Sequence, residues 1–146
     1  MSRHIGLICA LMLYGPPALP AQGKLPPVVE EGLRFLRDQG AEAAVVPWTR
    51  TWSTSADSGK RVQLQVGIGN LVAYAGRLNS WDIVRIIEVT PHLERIYLVL
   101  VFERQPIYAM FVAYKPGNEW IVTGVNFHTE SDKIFPPSIL DPEKPS

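Results

Sequence analysis

The chain has little that would announce a reaction. It holds one cysteine, Cys9, in 146 residues. A disulfide framework, a cysteine-ligated metal and a dithiol redox site are therefore excluded. There is no surplus of charge. Fourteen Lys and Arg balance fourteen Asp and Glu, and charged residues make up only 19%. That excludes a strongly basic nucleic-acid surface and an acidic tail as the main theme. No apolar run approaches the roughly 18–20 residues of a membrane span. No internal repeat and no phosphate-loop or dinucleotide motif is present. The stretch GIGN at 67–70 lacks the third glycine and the downstream acidic residue that such a motif needs. What is abundant is apolar: 47% of residues are hydrophobic and 10% aromatic. That composition belongs to a folded domain rather than a disordered chain, and the length suits one domain.

The first 23 residues read as a secretory signal peptide. Arg3 and His4 give a basic start, Ile5 to Tyr14 an apolar run, and Pro16, Pro17 and Pro20 lead into small residues. Cleavage before Lys24 is expected, with cleavage after Ala21 nearly as good. Removing 23 of the 146 residues leaves 123, takes away Arg3 and Cys9, and gives net charge −1 without any thiol. Ile8 stands where a lipidation motif wants a small residue, so an acyl anchor on Cys9 is not expected. Export to the periplasm or the medium is the expected address, with no integral membrane segment in the mature chain.

Residues 24–135 are expected to fold as one domain. Val29, Leu33 and Leu36 recur at helical spacing after Pro26 and Pro27, with Glu30 and Glu31 early and Arg34 and Arg37 late, which predicts a helix over 28–39. A second short helix follows from Ala41, broken or bent at Pro47. Residues 53–59 read as a polar loop or cap. The segment 61–76 is ambiguous: Val62, Leu64, Val66 and Ile68 alternate, while Ile68, Leu71, Val72 and Ala75 keep helical spacing. A helix ending near Ala75 is favoured. Strands are expected at 80–90, 95–103, 107–114 and 120–128, joined by three short turns into an antiparallel meander. Residues 136–146, rich in proline, read as a flexible tail. Helices followed by such a sheet make an α+β domain.

The strands are apolar on both faces. Ile96, Leu98, Leu100 and Phe102 alternate with Tyr97, Val99 and Val101; Ile107, Ala109, Phe111 and Ala113 alternate with Tyr108, Met110, Val112 and Tyr114. One face suits the helices. The other must fold over itself, be covered by the tail, or meet a second copy, which makes a homodimer through the sheet an expectation.

Three segments carry a resemblance: AGRLNSWDIV (75–84), RIYLVLVFERQPIYAMFVAYKP (95–116) and WIVTGVNFHTESDKIFP (120–136). They resemble small exported bacterial members of the nuclear-transport-factor-2-like superfamily, through a strand grammar that covers about half the chain. The resemblance implies helices packed into a cone of bent sheet, often dimeric through the outer face of that sheet. The family's usual early β-hairpin is not evident. Function does not transfer, since the fold hosts isomerases, dehydratases and plain binders.

Residues able to do chemistry are few. Asn126 and His128 are expected to share a face of the last strand with Trp120 and Val122, as the polar end of an apolar pocket. With Trp81, Tyr97 and Tyr108 they are the candidate pocket residues. Asp82 and Glu88 are expected on one face of the first strand, and Glu103 at the hairpin turn, each as a solvated charge. Two histidines without a third ligand make no metal site, and no cofactor or nucleic-acid partner is implied. A non-catalytic module holding a small apolar ligand is the expected function, with a pocket enzyme of the isomerase, dehydratase or hydrolase kind as the alternative.

Overall fold

A computed structural model describes residues 23–141. All of the expected signal peptide but Gly23, with Cys9 in it, lies outside that range, as does the end of the tail, 142–146. Three helices come first: α1 (Pro27–Asp38), α2 (Ala41–Trp48) and α3 (Ser55–Ala75). Four strands follow: β1 (Leu78–Thr90), β2 (Leu93–Phe102), β3 (Pro106–Tyr114) and β4 (Ile121–His128). A single 3₁₀ turn at Ser131–Lys133 and one helical turn, α4 (Pro137–Leu140), close the described chain. No helix among the described residues is long and apolar enough to cross a membrane.

The α1 helix starts where proline is tolerated and buries Val29, Leu33 and Leu36. It ends before Gly40, whose φ of 98° is open to glycine. Pro47 sits in the last turn of α2, and the helix stops one residue later.

Of the two readings of 53–59, loop or cap, the cap holds. Only Ser53 and Thr54 precede the helix, and Ser55 already belongs to α3. The reason is a capping box. The Asp57 backbone N–H donates to Thr54 Oγ1 at 3.2 Å, and the Thr54 backbone N–H donates back to Asp57 Oδ2 at 3.1 Å. Hydrogen bonds from the Thr54 hydroxyl and amide hold the Asp57 carboxyl below the usual range. The ambiguous segment is thus the main part of a 21-residue helix, with Gly76 as its C-cap. Its C-terminus is clamped by the β2–β3 turn: the Arg104 guanidinium donates to the carbonyls of Tyr74 and Ala73 at 2.8 and 2.6 Å. That places a cation where the helix dipole is negative.

The strands form one antiparallel sheet in the order β1-β2-β3-β4. Directly opposed residues share a face, so the register assigns the two sides. Ile96, Leu98 and Leu100 of β2, with Ile107, Ala109, Phe111 and Ala113 of β3, face the helices and are fully buried. The space between sheet and helices is filled by the chain's own rings. Trp48 of α2 meets Phe111 edge-on at 4.9 Å between centroids and lies 6.0 Å from Phe127, while Phe111 and Phe127 are perpendicular at 5.8 Å. The Trp48 indole N–H donates to Val29 O, satisfying its one polar atom in the core.

Register shifts revise two face assignments. In β4 the pairing moves between Val112 and Ala113, so Val122 lies opposite buried Ala113 while Asn126 and His128 lie opposite Met110 and Tyr108. Asn126 and His128 therefore point away from the helices, and Val122 towards them. In β1 a shift between Ile83 and Arg85 puts Asp82 opposite Val99 on the outer face and Glu88 opposite Glu94 on the helix-facing side. A bulge turns over the parity on which strand patterns depend.

Candidate functional site

The five expected pocket residues divide between the two faces. Trp81 pairs with Leu100 on the helix-facing side and carries the Arg37 guanidinium 5.6 Å above its ring. Tyr97, Tyr108, Asn126 and His128 are on the outer face. There Tyr97 is opposite Met110, Met110 opposite Asn126, and Tyr108 opposite His128. Phe135 caps this cluster, edge-on to Tyr108 at 5.4 Å and to Tyr97 at 6.0 Å, and is itself 6% exposed. The chain's own phenylalanine thus occupies the place between the two tyrosines. His128 Nδ1 accepts the backbone N–H of Glu130 at 2.9 Å, so that nitrogen is committed to the start of the C-terminal segment.

The open apolar space lies elsewhere. A groove of about 500 Å³ runs between α3 and β4. Leu64, Ile68 and Leu71 of α3 and Val125 and Phe127 of β4 give it an apolar lining. Gln63, Asn70 and Tyr74 supply the polar side chains, Asn126 borders the groove at the strand edge, and Gly67 leaves room on the helix side. Among the described residues no charged one lines it. A Cβ on Gly67 would meet nothing within 4 Å. Asn126 is the one expected pocket residue that borders this groove.

Two features of α3 build it. Its hydrophobic residues go almost all the way round, so packing Ile68 and Ala75 into the core leaves Val62, Val66 and Tyr74 more than half exposed. Its ends are also fixed independently. Arg61 donates to the carbonyls of Thr49 and Trp52, at 3.0 and 2.9 Å, and Arg104 holds the other end. The alternation of Val62, Leu64, Val66 and Ile68 that blurs the sequence is the trace of this surplus apolar surface.

A second cavity of about 280 Å³ lies at the start of α1, lined by Val28, Glu31, Arg50, Glu119 and Trp120. Arg50 and Glu31 pair across it at 3.3 Å.

Comparison with protein-family models, with curated proteins and with solved structures finds no match to the chain. Geometry carries the functional reading.

Among the described residues no carboxylate or imidazole lines the groove. The Glu94 carboxyl is pushed above the usual range, first by burial and then by the facing Glu88, with Lys115 acting against both. It borders neither the groove nor the outer tyrosines. Glu103 is no free edge charge: its Oε2 accepts the Arg77 backbone N–H at 3.0 Å, just past α3. His92 Nδ1 lies 3.0 Å from Lys115 O at the sheet end. Among the described residues no cluster of three or more His, Cys, Asp or Glu could hold a metal.

Proposed function

We propose that the chain is an exported, non-catalytic binding module that holds an apolar ligand in the groove between α3 and β4. The observation that carries this is the groove itself. It has an apolar lining, a few neutral polar groups and no charge, which is the ordinary chemistry of a ligand site. Trp48, Phe111 and Phe127 pack together between helices and sheet, which supports a ligand space beside the sheet rather than inside a cone. Export rests on the charge and hydropathy order of the first 23 residues. The order of elements, helices and then an antiparallel meander, supports a nuclear-transport-factor-2-like assignment; an experimental structure whose neighbours belong to another fold would remove it.

The test uses Nile red, an uncharged apolar dye. Its emission is expected to shift to the blue on the wild-type chain with micromolar affinity. Leu71→Asp, which puts a charge on the groove wall, is expected to weaken that binding at least tenfold with the circular dichroism spectrum unchanged. Equal binding by wild type and variant would overturn the assignment.

A homodimer through the outer sheet face is the second part of the proposal. Val99, Val101, Met110 and Val112 are half-buried there, and Tyr114 is 40% exposed. Light scattering at micromolar concentration is expected to give twice the mass of one chain. A clean monomer would end this part and leave the groove reading intact.

A further inference from the structure

The groove has a wall that a small ligand would not require. β4 is the last strand in the sheet order, so one side of it is an edge. Near its start that edge is capped, because the Trp52 indole N–H donates to Val122 O at 3.1 Å. From Val125 to Phe127 it forms the groove wall, and among the described residues those backbone groups have no partner beyond β3. An uncovered strand edge is a template for another strand.

The opposite wall fits such a guest in length and chemistry. α3 borders the groove from Gln63 to Tyr74, three turns or roughly 16 Å of helix. That is room for four or five residues of extended chain at about 3.3 Å each. Gln63 and Asn70 offer side-chain amides, which donate to and accept from peptide groups equally well. Charge complementarity decides the character of the guest. With no charged lining residue, a buried charge on the guest would lose its water and find no counter-charge, whereas neutral apolar side chains find Leu64, Leu71 and Phe127.

We infer that the groove takes an extended, uncharged peptide segment, which adds to the free edge of β4 as a fifth strand beneath α3. Strand addition beside a helix gives affinity through main-chain hydrogen bonds and specificity through alternate side chains. The inference rests on the binding reading above and names the class of ligand.

The test selects binders from a random twelve-residue peptide library on the full chain, then follows amide exchange in the complex. Selected peptides are expected to lack charge over a central stretch of four or five residues. They are expected to slow exchange in residues 124–128 at least tenfold. Gly67→Phe should abolish both effects, since its ring would enter the groove without meeting the core. Gly59→Phe, on the same helix where a Cβ also meets nothing, should bind as wild type. Failure to select peptides, or binding that leaves exchange in β4 unchanged, overturns the inference. If Nile red still binds and Gly67→Phe removes it, the peptide reading fails and the ligand-binding reading stands. If neither dye nor peptide responds to Gly67→Phe, both fail.

Discussion

Gly32 of α1 lies flat against the indole of Trp48. A Cβ at position 32 would overlap Nε1, Cε2 and Cδ1 of that ring. The contact sets the distance between α1 and α2 and lets Trp48 reach Phe111 and Phe127 beneath them. Gly32→Ala should gain about 1 kcal/mol of helix propensity and lose more to overpacking. A net loss of about 1–3 kcal/mol is expected, read as a lower urea midpoint with an unchanged m-value. A variant as stable as wild type would show that the helices slide apart freely.

The end of α3 offers an independent measure. Gly76 has φ 89° and ψ −157°, a region open essentially to glycine alone, and a Cβ there would stand 2.7 Å from Glu103 Oε2. Gly76→Ala is expected to cost about 2 kcal/mol. Arg104→Ala, which frees the carbonyls of Ala73 and Tyr74 at an exposed site, is expected to cost about 1 kcal/mol. The two act on one turn, so the double variant should cost less than the sum, as a thermodynamic cycle in urea would show.

Much of this architecture was legible in the sequence. The apolar spacing of Val29, Leu33 and Leu36 gave α1, and strand composition with short turns gave the meander. The filled interior was not legible, because nothing in the string Val-Val-Pro-Trp says that Trp48 turns inward onto Phe111. Neither was the face of Asn126 and His128, because a bulge leaves no mark in a two-residue alternation. The groove was hidden for a third reason. Half of it belongs to α3, whose apolar residues surround the helix and so show no face, and half to a strand edge, which side-chain patterns do not encode. The one advance signal was the helix-or-strand ambiguity of 61–76.

Glu88 and Glu94 face each other across β1 and β2 and set a pH dependence. The folded state raises the pKa of Glu94 above its ordinary value of 4.5, first by burial and then through Glu88. The folded state therefore binds the proton more tightly than the unfolded chain. Its contribution to stability is present in full below the ordinary value and is lost as pH rises through the raised one. Thermal midpoints are expected to fall over that interval in wild type. Glu94→Gln should flatten the fall, and Glu88→Gln should reduce it in part, because burial remains. An identical pH profile for Glu94→Gln would assign the slope to other carboxyls.

Phe135 is the only residue of 129–141 that is buried, and no hydrogen bond among the described residues ties 131–141 to the sheet. A single ring between Tyr97 and Tyr108 therefore holds the segment down. Removing it costs less than in a closed core, about 2 kcal/mol, since the site opens to water once the segment lifts. Phe135→Ala should speed amide exchange and proteolysis in 131–141 far more than in β2 or β3. It should also expose Tyr97 and Tyr108 beside Val99 and Met110, enlarging the apolar outer face, and so raise the mass measured by light scattering with concentration. Phe135→Leu, which keeps an apolar anchor, is expected to restore most of the protection. Uniform loss of protection across the sheet would show instead that Phe135 supports the whole domain rather than residues 131–141 alone.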